Sequence, residues 1–255
     1  MNNTPKISIH MCTFNRAHFI AQAIDSVLKQ SYQAWELLIL DDCSTDNTRD
    51  IVQPYLRDSR IIYIKNDHNL GITPNRNKAL SLSTGTYIAV LDSDDFWIDA
   101  GKLADQVKFL ETHKDHVLVG TNMIIVSEQG KMLKKTHYPT SDYVIKMFLL
   151  LKNFFCHSSI MYRKQEIMIA GGYNQLLAIW EDYDLWLKLG RKYKLANLPS
   201  HATAYRKHNN QSNSDKVHVG LLTQSHIINS YKDTYPGFEI ATLVHKFRSR
   251  KSHGK

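Results

Sequence analysis

The chain has 255 residues, 43% of them apolar and 22% charged, and a net charge of +8. This is ordinary globular composition, long enough for one large α/β domain or a domain with an appended lobe. It excludes a membrane-spanning chain, because the longest apolar run (Met147 to Leu151) falls far short of the roughly 18 residues a span requires, and the charge asks for an anionic partner without naming it.

The opening Met1 to Lys6 has no secretory apolar stretch. Three cysteines without paired spacing (Cys12, Cys43 and Cys156) fit a reducing compartment, so a cytoplasmic protein is expected. Lys6 to Phe14 reads as a strand, and Phe19, Ile20, Ala23, Ile24, Val27 and Leu28 then recur at helical spacing. Trp35 to Leu40 is a second strand ending in Asp41-Asp42. Ser44 to Asn47 offers caps for a helix running to Leu56. Ile61 to Ile64 is a strand, Pro74 to Leu82 a helix, and Tyr87 to Leu91 a strand. Strands separated by helices predict βαβ units and a mainly parallel central sheet covered by helices on both faces. Ligands of such sheets sit at the carboxyl ends of the strands, where Thr13, Asp42 and Asp92 to Asp95 should meet.

The second half alternates less regularly. Helices are expected over Leu103 to Leu110, Ser141 to Leu151, Glu181 to Tyr193 and Asp215 to Tyr231. Strands are expected over Val117 to Val126, Ser158 to Tyr162 and His201 to Arg206. Glu128-Gln129-Gly130 reads as a turn and Gly171-Gly172 as a break.

The densest chemical signal is Leu91-Asp92-Ser93-Asp94-Asp95, three carboxylates within four positions at the end of a strand. Such a cluster is self-repelling, and a fold keeps it cheaply when a cation sits among the oxygens. Asp92 and Asp94, two apart, share one face in extended backbone. Hard oxygen ligands with room for water suit Mg²⁺ or Mn²⁺, which normally bring a phosphate with them. The competing use is an acidic turn capping the next helix.

With these positions in place, an ordered series of motifs resembles the family-2 inverting glycosyltransferases of the GT-A fold, over residues 6 to about 212. Ile9 to Arg16 resembles the opening strand and nucleotide loop. Leu40 to Thr48 resembles the second loop, and Asn69-Leu70-Gly71 with Arg76-Asn77 the third. Leu91 to Trp97 resembles the metal-binding D-x-D turn and Trp180 to Trp186 the acceptor-side catalytic motif. Tyr205 to His208, followed by Ser212, resembles the closing loop. The resemblance implies a nucleotide-sugar-binding half over 1–97 and an acceptor-binding and catalytic half over 98–235; the charge placement adds a basic C-terminal tail over 236–255. It implies Mn²⁺ or Mg²⁺ as cofactor. It also implies transfer of a single sugar from a nucleotide-sugar donor, with a UDP-sugar expected, to a glycan or lipid-linked glycan acceptor.

Residue by residue, Asp42 is suited to accept a hydrogen bond from a uracil imide N–H, while Asp41 holds the loop; helix capping is the pair's other use. Thr13 and the backbone around Asn15 would line base and ribose, although Asn15 and Arg16 serve equally as caps. Asp94 is the first choice for the metal, with Asp92 reaching the ribose or the ion. Asp95 is structural, capping the helix near Ala100. Arg76 and Arg206 would assist at the diphosphate, and His208 is either a metal or phosphate contact or an ordinary surface histidine. Asp182 is the expected base, with Glu181 orienting the acceptor and Trp180 offering a flat face to a sugar; the alternative is an acidic first turn favoured by the helix dipole. Cys43 stands where the family often has glycine, placing a thiol beside the expected uracil site.

Other classes fit less well. A sugar nucleotidyltransferase would want a glycine-rich first loop, and Cys12 to Arg16 contains none. A phosphoacceptor signalling domain would be about half as long and leaves Trp180 to Asp184 without a role. A nucleic-acid binder explains the charge but not the acidic turn, so no nucleic acid is expected. Lys246, Arg248, Arg250, Lys251 and Lys255 crowd the end of the chain, either as a solvated tail or as a tether to the inner face of an anionic membrane.

Overall fold

A computed structural model of the protein describes residues 4–208 and 217–253. Its first half follows the alternation in the sequence. Strands β1 (Ile7–Thr13), β2 (Trp35–Asp41), β3 (Ile61–Lys65) and β4 (Tyr87–Val90) are joined by α1 (Ile20–Leu28), α2 (Thr48–Val52, continued by a 3-10 turn over Gln53–Arg57) and α3 (Ile72–Leu82). All pairings among these four strands are parallel, in the order β3-β2-β1-β4. The chain runs outward from β1 to one side and then returns to its other side. That reversal opens a crevice beyond the carboxyl ends of β1 and β4.

The second half is mixed. It contains β5 (Phe96–Trp97), α4 (Lys102–Thr112), β6 (His116–Val126), β7 (Met132–Lys135), α5 (Asp142–Phe148), β8 (Met161–Arg163), α6 (Lys164–Ile169), α7 (Glu181–Gly190), β9 (Lys194–Arg206), α8 (Val217–Ser230) and α9 (Phe238–His253). The sheet continues β4-β8-β6-β9-β5, with β7 paired to β6. Here β6 and β9 run parallel, while β4–β8, β6–β8, β6–β7 and β5–β9 are antiparallel. The sheet is therefore parallel through its first four strands and mixed beyond them.

Period-two burial explains the layers. Ile7, Ile9 and Met11 of β1 face a core shared with Ile20, Ile24 and Val27 of α1 and with Leu103, Val107 and Leu110 of α4. Ser8 and His10 face the other way and are buried too, so they need partners: Ser8 donates to Glu36 Oε1 at 2.5 Å, and His10 Nε2 meets Ser83 Oγ at 2.5 Å. On the opposite face a second core joins Ile88, Leu118 and Tyr162 to Tyr183, Trp186 and Leu187 of α7 and to Ile227 and Ile228 of α8. The segment expected as a tail includes α9, whose Ala241 and His245 are buried. Asp215, the expected start of α8, and Ser212 lie outside the described residues. No helix among the described residues is long and apolar enough to cross a membrane.

Candidate functional site

A cleft of about 760 Å³ opens at the switch crevice, and Thr13, Arg16, Asp42, Arg76, Asp92, Asp94, Trp180, Glu181 and Asp182 all line it. Polar clusters distant in sequence thus meet on one rim: parallel strands deliver Thr13, Asp42 and Asp92 to the same edge, and the start of α7 brings Trp180 to Asp182 against it.

At the β2 end the acidic pair divides its work. Asp41 is fully buried and holds the loop, accepting from Ser44 N–H at 2.7 Å and from the Tyr63 hydroxyl. Asp42 accepts from Leu70 N–H and Asn66 Nδ2, both 2.8 Å from Oδ1, and from Gly71 N–H at 2.9 Å from Oδ2. A carboxylate offers about four acceptor positions. Three are taken, which leaves one at Oδ2 for a ligand. Thr13 Oγ1 is buried and without a hydrogen-bond partner, the kind of orphan a bound molecule would satisfy. Asn15 is placed differently. It takes a left-handed φ of 53°, and its Oδ1 accepts from Thr45 N–H at 2.8 Å, tying the first loop to the second rather than lining the cleft.

Arg76 sits buried between two carboxylates. Nη2 donates to Asp92 Oδ1 at 3.1 Å, and Nη1 donates to Glu181 Oε1. Burial alone would lower its pKa, but Glu181 and Asp92 outweigh that and hold the guanidinium firmly charged. Burial likewise pushes Asp92 up, yet His157 and Arg76 prevail and keep it well below the usual carboxylate range. Glu181 is the opposite case: burial raises it, and Asp182 adds to the rise while Arg76 opposes it. His157 was not singled out from the sequence. Its Nδ1 lies 3.3 Å from Asp92 Oδ1 and its Nε2 3.0 Å from the Tyr173 hydroxyl, so it props the Asp92 carboxylate from behind.

Asp94 Oδ2 meets His208 Nε2 at 3.0 Å and Arg16 Nε at 3.2 Å. His208 also packs on Phe19, with ring centroids 4.8 Å apart. A carboxylate and an imidazole side by side are donors that Mn²⁺ accepts, and with phosphate oxygens and water they would complete its sphere. The residues therefore fit a divalent ion that arrives with a phosphorylated ligand. They do not form a cage of their own, since no group of three or more ligating side chains occurs among the described residues.

The acidic turn and the closing loop also depart from expectation. Asp95 does not cap the helix near Ala100; Asp99 Oδ1 takes the Gly101 N–H at 2.8 Å. Asp95 instead accepts from Ser158 Oγ and from Arg206 N–H at 2.8 Å, pinning the acidic turn to β9. Burial, then Asp94 and Asp92, raise its pKa well above that of an ordinary aspartate. Nor does Arg206 reach the cleft. Its guanidinium is buried between the rings of Phe19 and Phe96 and donates to the carbonyls of Asp94 at 2.9 Å and Glu128 at 2.6 Å.

Trp180 precedes α7 in a left-handed conformation, φ 64°, costly for a bulky residue and concentrated at functional positions. Its Nε1 donates to Gly220 O at 3.1 Å, which fixes the ring on the cleft wall. Asp182 accepts its neighbour's N–H, Tyr183 N at 2.7 Å from Oδ1, and Asn153 Nδ2 lies 3.5 Å from Oδ2. Cys43 turns its sulfur to Asp67 O at 3.7 Å and is not part of the lining. The thiols that line the cleft are Cys12, pushed up to about 12 chiefly by burial, and Cys156.

The sequence profile of Glycosyl transferase family 2 matches residues 8–171. Over 231 residues the chain is 33% identical to the Escherichia coli UDP-Glc:alpha-D-GlcNAc-diphosphoundecaprenol beta-1,3-glucosyltransferase WfaP, covering 88% of this chain and 86% of WfaP. It is 36% identical over 183 residues to a second Escherichia coli glucosyltransferase named for the same donor and acceptor, WfgD, covering 72% and 69%. Among solved structures, S. aureus TarS 1–349 superposes with a TM-score of 0.73 at 20% identity, over 98% of this chain and 74% of that one. The mannosyltransferase PcManGT from Pyrobaculum calidifontis, in complex with GDP-Man and Mn²⁺, gives a TM-score of 0.72 at 17% identity, over 96% and 70%. These two share the fold.

Proposed function

The chain belongs to glycosyl transferase family 2 and has the GT-A type fold, and on that premise we propose that it is a divalent-metal-dependent, inverting hexosyltransferase. It moves one sugar from a nucleotide-diphosphate donor, with a UDP-sugar favoured, to a hydroxyl of a glycan or lipid-linked glycan in cell-surface polysaccharide assembly. Residues 1–97 hold the donor and 98–235 the acceptor. The observation that carries the reading is that Asp94, paired with His208, and Asp182 line one cleft. The UDP-Glc in the names of WfaP and WfgD supports the choice of donor.

Asp42 receives the uracil imide N–H on its remaining acceptor position, and Thr13 Oγ1 gains a partner from the nucleotide. A divalent ion held by Asp94 and His208 would neutralise charge growing on the departing diphosphate. Arg16, within 3.2 Å of Asp94, adds a cationic group on the same side. Arg76, already shared by Asp92 and Glu181, orients both carboxylates and helps hold Asp92 charged. Trp180 and Glu181 wall the acceptor end. Asp182 takes the proton of the acceptor hydroxyl as its oxygen bonds to the anomeric carbon, and the bond to the diphosphate breaks on the opposite face. The basic residues at the end of the chain act as a loose tether to an anionic membrane, an idea removed if deleting residues 244–255 leaves vesicle binding unchanged.

The test is a thermal-shift screen of nucleotide sugars with and without Mn²⁺. A UDP-sugar should stabilise the protein only with the metal, and Asp94→Ala should abolish the shift. Equal stabilisation in EDTA would overturn the metal-dependent reading.

A further inference from the structure

We propose that the hairpin formed by β6 and β7 is a foot that docks on an anionic lipid bilayer beside the cleft. The turn is tight: Ser127 N–H donates to Lys131 O at 2.8 Å, and Gly130, at φ 84°, donates back to Ser127 O at 2.9 Å. Every residue of β7 is exposed, with Met132 at 55% and Leu133 at 56%. Lys131, Lys134 and Lys135 surround them, and the ion pairs among the described residues involve none of the three. The turn carries one acid, Glu128.

Lysines alone are what an edge strand carries to repel other strands. Two large apolar side chains in water beside them serve no such purpose. A bilayer uses both, because ammonium groups meet anionic headgroups while short apolar side chains enter the interface. Nucleic acid would use the lysines, leave Met132 and Leu133 in water, and want stacking rings, which the turn and β7 lack.

The base of the hairpin is continuous with the cleft. Arg206 Nη1 holds the Glu128 carbonyl at 2.6 Å, Met123 N–H donates to Thr136 Oγ1 at 3.0 Å, and Tyr138 N–H donates to Asn122 Oδ1 at 2.6 Å. Met123 and Tyr138 themselves line the cleft, as does Leu176, which is 93% exposed. A bilayer under the hairpin would thus lie against the mouth through which a lipid-linked acceptor enters. The docking itself does not depend on the transferase reading, because it is measured without donor or acceptor.

The experiment is cosedimentation of the full chain with phosphatidylglycerol–phosphatidylethanolamine vesicles and with phosphatidylcholine vesicles. Binding should be confined to the anionic vesicles. Lys131→Gln/Lys134→Gln/Lys135→Gln should lower it on the order of 100-fold, at about fivefold per lysine. Met132→Ser/Leu133→Ser should remove the part that survives high salt. All five positions are exposed, so both variants should melt like the parent. The proposal is overturned if the parent ignores anionic vesicles or if both variants bind as the parent does. It is equally overturned if the lysine effect appears only with an oligonucleotide, or if the substitutions abolish a dimer instead.

Discussion

Replacing Arg76 by methionine removes the one guanidinium that Asp92 and Glu181 share while keeping most of the side-chain volume. The Arg76 and Glu181 side chains are 7% and 6% exposed, so solvent cannot substitute for the lost partner. Breaking a buried pair by deleting one member costs about 3–5 kcal/mol. At roughly 2–4 °C per kcal/mol for a protein of this size, the melting temperature should fall by roughly 10 °C near neutral pH. The deficit should depend on pH. In the parent, Asp92 is held below its unfolded value, so its contribution is present above about pH 3.9 and lost below it. In the variant Glu181 stays buried without its counter-charge, so its folded pKa rises further above the unfolded one, while Asp92, 29% exposed and still beside His157, loses only part of its depression. The Glu181 contribution is then favoured at low pH and lost as pH rises through that folded value. The gap between parent and variant should be widest near neutrality and close toward about pH 4. Adding Glu181→Gln to the variant should recover part of the loss, because one unpaired charge goes. Differential scanning calorimetry across that range is the assay. A deficit below about 2 °C, or one flat in pH, would refute the electrostatic account.

Cys43→Gly should stabilise the fold by about 0.5–1 kcal/mol, because a φ of 68° is strained for cysteine and free for glycine; donor affinity, read by calorimetry, should not change. Thr13→Val should leave the melting temperature of the free protein unchanged or raised, since Oγ1 has no partner to lose. The same variant should weaken nucleotide binding about 2–10-fold, one hydrogen bond's worth. A large loss of stability with unchanged affinity would place that hydroxyl in the fold instead of the site.

The first half of the fold was legible because each of its strands and helices carries a pattern several residues long. Among the elements that went unread, β5 has two residues, β7 four and α6 six, too short for any pattern, whereas α9 has 16 and was taken for a basic tail because its charges masked the helix. β9 was recognised only from His201, whereas it begins at Lys194. Pro199 argues against a strand, and it is tolerated because the β6–β9 register slips there, between Thr121 and Asn122. The lining of the cleft was legible where a motif is local, as with Asp92 and Asp94 or Trp180 to Asp182. It was not legible where the partner is distant. His157 reaches Asp92 from 65 positions away, and Asp95 is held by the Arg206 N–H from 111 positions away. Arg206 looked like a phosphate contact because sequence does not reveal that two phenylalanine rings enclose it.

The claim on which the rest turns is that one carboxylate on the acceptor side removes the proton while the opposite wall holds the donor. Asp182→Asn isolates it, since asparagine keeps the size and loses the basicity. Measured on one preparation, donor affinity should match the parent, and kcat for transfer should fall by roughly 10²–10⁴-fold. Undiminished transfer by this variant would contradict the account.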